Sequence, residues 1–485
     1  MRGIAQQAVI LSLSRIANYG LMIISPIILV HLLTVSDFGR YREFLLYSSL
    51  LQALASFNFS ASLLYFIPLH HSSPWRVVRE TAGLTGIFSV LVVGVFAACD
   101  LLAPSGLVGP YLVPVVIYVL LFVNLDWWES FWVARGRPIL VFWYTGGRLM
   151  GRMLVVICAA LVSDNVWAII WALIAFETLR VIGSFIVWRR ADRSSLEPPV
   201  GDIRRQQLKF CVPLGLAAVL YLLGRNLGNV VVAKYLGAAA LAQLTIGTYG
   251  EPIIVALRDS ISQVVLPELV RLGERSREAL VLWYRTTVIN CLLLFPVAAI
   301  VAWYAEPLIL KMFGAAYRPA IPVLQWYALV IVRSCFDFAP LLRAINKTRP
   351  FLTSCGVTAL ANSLTLVLLL PAYGIVAVAV GLVVSSFAEA AYLAFCVSRL
   401  YGMGGRALLP WSAVIKVSIC AAAAAAIAFG ITYELRTTLV GAALGSVLYV
   451  AVFAALLKAT RLEEANILLQ RIRTLMPAIR GRQAS

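Results

Sequence analysis

The feature that most constrains this chain is the recurrence of long apolar runs along its whole length. A helix needs about 20 predominantly apolar residues to cross the hydrocarbon of a bilayer. Runs of that length, separated by charged or Gly/Pro-containing breaks, lie near 8–33, 43–69, 80–103, 110–134, 139–162, 165–188, 207–235, 241–270, 280–304, 319–345, 350–371, 373–398, 409–431 and 437–458. Fourteen such spans predict an all-α polytopic membrane protein. Composition agrees, with 61% of residues hydrophobic and 13% charged, where soluble chains carry about 45–50% and about 25%. A chain of 485 residues cannot enclose that much apolar surface in a soluble core. The opening stretch MRGIAQQAVILSLSR lacks a short apolar core followed by a small-residue cleavage site, so it reads as the first span.

The net charge of +18 would suggest nucleic acid for a soluble protein. Here the loops account for it. The even-numbered connections carry HHSSPWRVVRE, ARGRP, RRADRSSLEPPVGDIRR, RLGERSRE, NKTR and RLYGMGGR, and the chain ends in a basic tail. About 25 basic residues fall on that side against about 6 on the other, which places both termini in the cytoplasm and removes nucleic acid as a partner. Eight scattered cysteines form no CxxC pair, and the three histidines (His31, His70, His71) fit no metal-ligand spacing. No GxxxxGK[ST] stretch is present, so no nucleotide, metal or other cofactor is expected.

The chain also resembles itself. HLLTVSDFGRY (31–41) follows the first span and AKYLGAAALAQL (233–244) the seventh; GPYLVPVV (109–116) precedes the fourth and GAAYRPAIPVL (314–324) the tenth; WVARGRP (132–138) ends the fourth and RAINKTRP (343–350) the tenth. Two six-helix halves that start on the same side form a parallel repeat, related by an axis along the membrane normal. The expected organisation is an N-lobe over 1–188, a basic cytoplasmic linker over 189–206, a C-lobe over 207–400, two extra helices within 401–459 and a basic tail over 460–485.

With those motifs in view, the chain resembles the multidrug/oligosaccharidyl-lipid/polysaccharide exporter superfamily, in its polysaccharide-transporter branch of Wzx-type flippases. The residues that carry the resemblance are LLTVSDFGRY (32–41), PLGLAAVLYLLGRNLGNVVVAKYLG (213–237), LPELVRL (266–272), FGAAYRPAIPVLQWYAL (313–329) and INKTRP (345–350), and it covers roughly 8–400. It implies two lobes working by alternating access in the cytoplasmic (inner) membrane. The implied cargo is an undecaprenyl-pyrophosphate-linked oligosaccharide, moved from inner to outer leaflet. Partners implied with it are membrane lipids and the polysaccharide polymerase and glycosyltransferases of the pathway. By analogy with lipid II flippases, spans thirteen and fourteen would line a groove for the polyprenyl tail. Many relatives carry an acidic residue in the seventh span, where this chain has Arg225-Asn226-Leu227-Gly228-Asn229.

Charges inside the spans single out candidate contacts. A charge at mid-bilayer costs at least about 2.5–3.5 kcal/mol, so it faces a cavity or a partner. Cations dominate: Arg152, Arg225, Arg258 and Arg333 fall near the midplane, with Arg15 and Arg148 nearer the cytoplasm. Guanidinium meets phosphate oxygens through a planar fork, so these six suit a pyrophosphate. Asn18, Asn226 and Asn229 are candidate glycan contacts. Arg148 and Arg152 share a helix face, as do Asn226 and Asn229. The competing reading pairs each cation with a carboxylate among Asp126, Glu129, Glu177, Glu251, Asp259, Asp337 and Glu389, with Asp337 expected for Arg333 at i+4. For Asp126 and Glu129, ion pairing with Arg148 and Arg152 across the RGRP turn stands against proton coupling. A catalytic dyad is not expected there, because nothing nearby could hold a sugar acceptor in water. Trp127, Trp128 and Trp132 read as an interfacial belt, and GGRLMG (146–151) as a close-packing stretch.

Three rival functions remain. A membrane glycosyltransferase or polymerase of the same pathway would typically expose a large external loop, and no external connection here exceeds about fifteen residues. A drug/cation antiporter would favour an acidic cavity. A peptidoglycan-precursor (lipid II) flippase differs only in its glycan.

Overall fold

The structure is a computed structural model. It describes residue 20 and residues 24–102, 108–125, 127–163, 165–192, 194–198, 201–272, 276–345, 347, 349–404 and 407–460. Among these the secondary structure is helical throughout. Residues 24–32 form α1. There follow α2 (Val35–Ser56), α3 (Phe59–Leu69), α4 (Pro74–Leu102), α5 (Leu112–Val123), α6 (Trp127–Ala134), α7 (Pro138–Val162), α8 (Val166–Ala191), α9 (Ile203–Tyr235) and α10 (Ala238–Gly247). The second half contains α11 (Glu251–Leu272), α12 (Arg277–Trp303), α13 (Ala305–Met312), α14 (Ala320–Arg333), α15 (Ala339–Ala344), α16 (Arg349–Tyr373), α17 (Ile375–Tyr401), α18 (Trp411–Ile431) and α19 (Leu439–Ala459).

Ten helical segments among the described residues are long and apolar enough to cross a membrane, and they coincide with ten of the fourteen apolar runs. Three more runs are helical but shorter or more polar, forming α9, α10–α11 and α14–α15. Most of the first run lies outside the described residues. Large apolar side chains such as Leu101, Val162, Val367 and Val447 stand exposed. Repeated along ten helices long enough to span, such surface marks contact with lipid, and the protein is a multi-pass membrane protein.

Four of the expected spans are not single helices. The second breaks at Phe57 and Asn58, both left-handed (φ 41° and 62°), and the fourth breaks after Val123. The eighth breaks at Thr248–Gly250 and the tenth between Arg333 and Ala339. Second and eighth are repeat counterparts, and so are fourth and tenth. Backbone groups freed within a membrane must be satisfied again from inside the protein, and the break residues do this. The Asn124 side-chain amide donates to the Leu120 carbonyl at 2.8 Å, and the Trp127 indole donates to the Asn124 carbonyl at 2.9 Å. At the tenth-span break the Asp337 carboxylate accepts from the Ala339 N–H at 3.0 Å, while the Trp283 indole donates to the Asp337 carbonyl at 2.8 Å. The entries to these spans also match: the turns Gly109–Tyr111 and Ala315–Tyr317 each place a buried tyrosine behind a left-handed glycine, Gly109 at φ 59° and Gly314 at φ 92°.

The chain forms two compact units, Met1–Ala242 and Gln243–Ser485. This division falls later than the 189–206 boundary that the repeat marks, because α9 packs on α2, α3 and α4. The Gln207 amide on α9 donates to Thr81 on α4 at 2.6 Å and to Ser62 on α3 at 3.3 Å. The described part of the basic connection is docked rather than loose: Glu197 accepts from the Trp75 and Arg76 N–H groups at the start of α4, at 3.2 and 2.8 Å. In the second unit α18 and α19 pack against each other and on α12. Phe429 stacks on Tyr449 at 5.3 Å, and the Tyr304 hydroxyl hydrogen-bonds Thr432 at 2.9 Å.

Candidate functional site

In the first unit, α7 turns one face toward α5. Helical spacing puts Arg148 and Arg152 one turn apart on that face. The Arg148 guanidinium stands 5.6 Å from the centre of the Phe122 ring, and that of Arg152 stands 5.9 Å from the Tyr118 ring. Arg152 also lies within hydrogen-bonding reach of Tyr41 on α2. From α8, Arg180 stands 5.4 Å from the same Phe122 ring, so one aromatic face system serves two cations. Such contacts contribute about 0.5–2 kcal/mol each, rising as water is excluded.

Glu177 on α8 has no solvent exposure. Its Oε2 accepts from Arg180 Nε at 2.7 Å, and Arg180 Nη1 donates to the Tyr144 hydroxyl at 3.1 Å. Tyr144 in turn donates to the Leu125 carbonyl at 3.4 Å, beside the α5–α6 break. Among the described residues the cluster thus holds three guanidiniums (Arg148, Arg152, Arg180) and two carboxylates (Glu129, Glu177). Arg180 was not singled out from sequence, although Glu177 and Arg180 at i, i+3 inside an apolar run were a legible signal.

The expected ion pairs are realised in part. Glu129 meets Arg148 at a loose 3.8 Å, with the Glu129 side chain 41% exposed. Asp126 lies outside the described residues. Arg152 is met by phenols, with Glu177 acting on it only at a distance. Arg333 does not pair with Asp337. Helix α14 ends at Arg333, so the i+4 geometry that would bring Asp337 round is lost. Instead Arg333 Nη2 meets Glu389 at 2.7 Å and Nε donates to the Ser386 carbonyl at 2.8 Å, both on α17. Asp337 accepts from Ser262 at 3.2 Å.

On α9, Arg225 Nη1 donates to the Tyr221 hydroxyl at 2.9 Å. Asn229 donates to Asn226 at 3.1 Å, and Asn226 donates to the Leu222 carbonyl at 3.0 Å. Arg258 is half-buried on α11 in the second unit. Arg15 and Asn18 lie outside the described residues. The structure therefore gathers Arg148 and Arg152 in one cluster of the first unit, with Arg225 elsewhere on its α9.

Two further readings need correction. Trp127 and Trp128 are each 3% exposed and stack on each other at 4.3 Å, so they build the core of the first unit rather than an interfacial belt. In GGRLMG only Gly151 packs closely: a Cβ there would meet the Phe176 ring at 2.8 Å, whereas Gly146 and Gly147 face open space.

A family model described as polysaccharide biosynthesis protein matches residues 139–322. No curated protein sequence is significantly similar to the chain. Among solved structures, the lipid II flippase MurJ in an inward closed conformation superposes with a TM-score of 0.64 at 14% identity, covering 94% of this chain and 99% of that one. An inward-facing multidrug resistance transporter of the MATE family, in the MOP superfamily, gives 0.52 at 16% identity, covering 81% and 98%. The Vibrio cholerae MATE transporter VcmN gives 0.51 at 13%, covering 83% and 98%. At these identities the likeness establishes the fold.

Proposed function

The chain has the fold of the multidrug/oligosaccharidyl-lipid/polysaccharide superfamily, and from that premise we propose that it is a flippase for a polyprenyl-pyrophosphate-linked oligosaccharide. It would carry this cargo from the inner to the outer leaflet of the cytoplasmic membrane, with both termini in the cytoplasm. The observation that supports this reading best is the polysaccharide-biosynthesis match lying on a fold shared with a lipid II flippase. A headgroup bearing a pyrophosphate and a large glycan cannot cross hydrocarbon unaided, so the protein must offer it a wet, cationic path; no covalent step is required.

In this proposal Arg15, Arg152, Arg225 and Arg258 bind the pyrophosphate, with Asn18, Asn226 and Asn229 contacting sugars. Arg148 and Arg333 have a larger share in holding Glu129 and Glu389. The lobes rock in alternating access, their broken second, fourth, eighth and tenth spans lying in corresponding positions of the two halves. Discontinuous helices of that kind surround the cargo sites of other repeat-built transporters. Helices α18 and α19, packed on α12, guide the polyprenyl tail. Lipid II is the second reading, favoured by the MurJ superposition, and differs in the headgroup borne by the pyrophosphate.

The test is binding of polyprenyl pyrophosphate against polyprenol to purified, folded variants. A charge-assisted phosphate contact contributes about 1.5–3 kcal/mol, so Arg152→Ala or Arg258→Ala weakens pyrophosphate binding by about ten- to a hundredfold. Arg→Lys keeps the charge without the fork and falls between. Alanine variants that bind both lipids as the parent does would place the phosphate site elsewhere. The lipid-linked intermediate that accumulates in a deletion strain identifies the glycan.

A further inference from the structure

A cavity of about 430 Å³ opens in the first unit beside the α5–α6 break, between α4, α8 and the start of α9. That volume lies within the range of small-molecule sites. Arg79 of α4 and Arg204 of α9 line it, together with Trp128, Trp188, Phe185 and Gly83. Among the described residues neither guanidinium is saturated by its partners. Arg79 Nη1 donates to the Ser194 hydroxyl at 3.3 Å, and Arg204 pairs with Glu80 through Nε, yet each carries five N–H donors in all. The indole N–H groups of the lining residues Trp128 and Trp188 are buried and have no acceptor among the described residues.

The surroundings say what kind of molecule fits. Phe185 is 49% exposed and continues into an apolar flank of α8 made by Leu179, Ile182 and Ile186. The same helix ends in Arg189 and Arg190, and the connection that follows it docks on the basic first turns of α4. Cations at a helix-bundle end, directly above an exposed apolar helix face, sit where a lipid has its phosphate above its chains. Basic pockets between spanning helices on the cytoplasmic side take anionic headgroups.

We propose that this cavity binds the phosphate headgroup of an anionic membrane lipid, with Arg79 and Arg204 on the phosphate and the lipid chain along Phe185 and the outer face of α8. Arg152, Arg225 and Arg258 are not among its lining residues, and the proposal rests on the membrane-spanning fold and on the proposed cytoplasmic position of this end. Two lipids share this chemistry, an acidic glycerophospholipid and a polyprenyl phosphate.

The full chain, purified in a neutral detergent, is examined by native mass spectrometry and titrated with phosphatidylglycerol, undecaprenyl phosphate, phosphatidylcholine and inorganic phosphate. A Cβ on Gly83 meets nothing within 4 Å, so Gly83→Phe plugs the cavity without a backbone clash. Arg79→Ala removes one cation from an exposed position. The expected result is retention of one anionic lipid by the parent, with at least about tenfold preference over phosphatidylcholine. Gly83→Phe abolishes this binding and Arg79→Ala weakens it about tenfold, while pyrophosphate binding through Arg152 is unchanged in both. Whichever anionic lipid binds more tightly names the source. Equal binding of phosphatidylcholine, parent-like binding by a folded Gly83→Phe, or displacement of lipid by inorganic phosphate at equal concentration overturns the proposal. Should Gly83→Phe fail to accumulate, Arg79→Ala with Phe185→Ser decides it in the same titration.

Discussion

Replacing Glu177 by glutamine separates scaffold from cargo site within the arginine cluster. Glu177 is wholly buried, and the Arg180 side chain is only 10% exposed with its Nε 2.7 Å from the carboxylate. Solvent screening is therefore small. Neutralising the carboxylate leaves a nearly buried guanidinium facing Arg148 and Arg152 without its counter-charge. Losing one partner of a buried pair costs about 3–5 kcal/mol. In a unit of this size each kcal/mol shifts Tm by about 2–4 °C, so Glu177→Gln lowers it by about 6–20 °C. The double variant Glu177→Gln/Arg180→Met removes the stranded charge and regains most of the loss, because exchanging a buried pair for apolar groups is often neutral. A thiol-reactive dye reads the transition through buried Cys211 in the first unit, with Cys291, Cys335 and Cys420 reporting on the second. A Tm change below about 2 °C, or a double variant no more stable than the single, would refute the view that Glu177 holds Arg180. If the double variant is stable yet binds polyprenyl pyrophosphate as the parent does, the Glu177–Arg180 pair is scaffold only.

Other expectations follow from single contacts. A Cβ on Gly39 would lie 1.9 Å from the Ala238 carbonyl oxygen, a backbone atom that cannot swing away, so Gly39→Ala destabilises the first unit by about 1–3 kcal/mol in thermal unfolding. Glu389→Ala strands Arg333 against α17 and lowers thermal stability, and Glu389→Ala/Arg333→Met recovers it; no recovery would mean that Arg333 depends on other partners. Under the proposed topology, cysteine at Ala372 is labelled by an impermeant reagent in intact cells and cysteine at Ser195 is not, and the reverse pattern would invert the orientation.

The helical class and the membrane setting were legible because both depend on local quantities: the length of each apolar run and the charge of the loop beside it. The correspondence of GPYLVPVV with GAAYRPAIPVL likewise predicted a shared local structure, and both form a turn behind a left-handed glycine. The shared face of Arg148 and Arg152 followed from spacing alone. The breaks in the second and fourth spans did not, since Phe57–Asn58 and the stretch after Val123 contain neither glycine nor proline. The cost of the helix breaks is met by partners such as Trp283, which lies 54 residues before the Asp337 carbonyl it caps. Trp127 and Trp128 were misplaced for a related reason, as an indole at a span end suits lipid headgroups and a protein core equally well until the neighbouring helices are known. Arg333 shows the point most directly. Sequence determined that it sits within an apolar run and needs an anionic partner; the end of α14 and the approach of α17 decided that Glu389 supplies one, because an ion pair forms between side chains that packing brings together, whatever their separation along the chain.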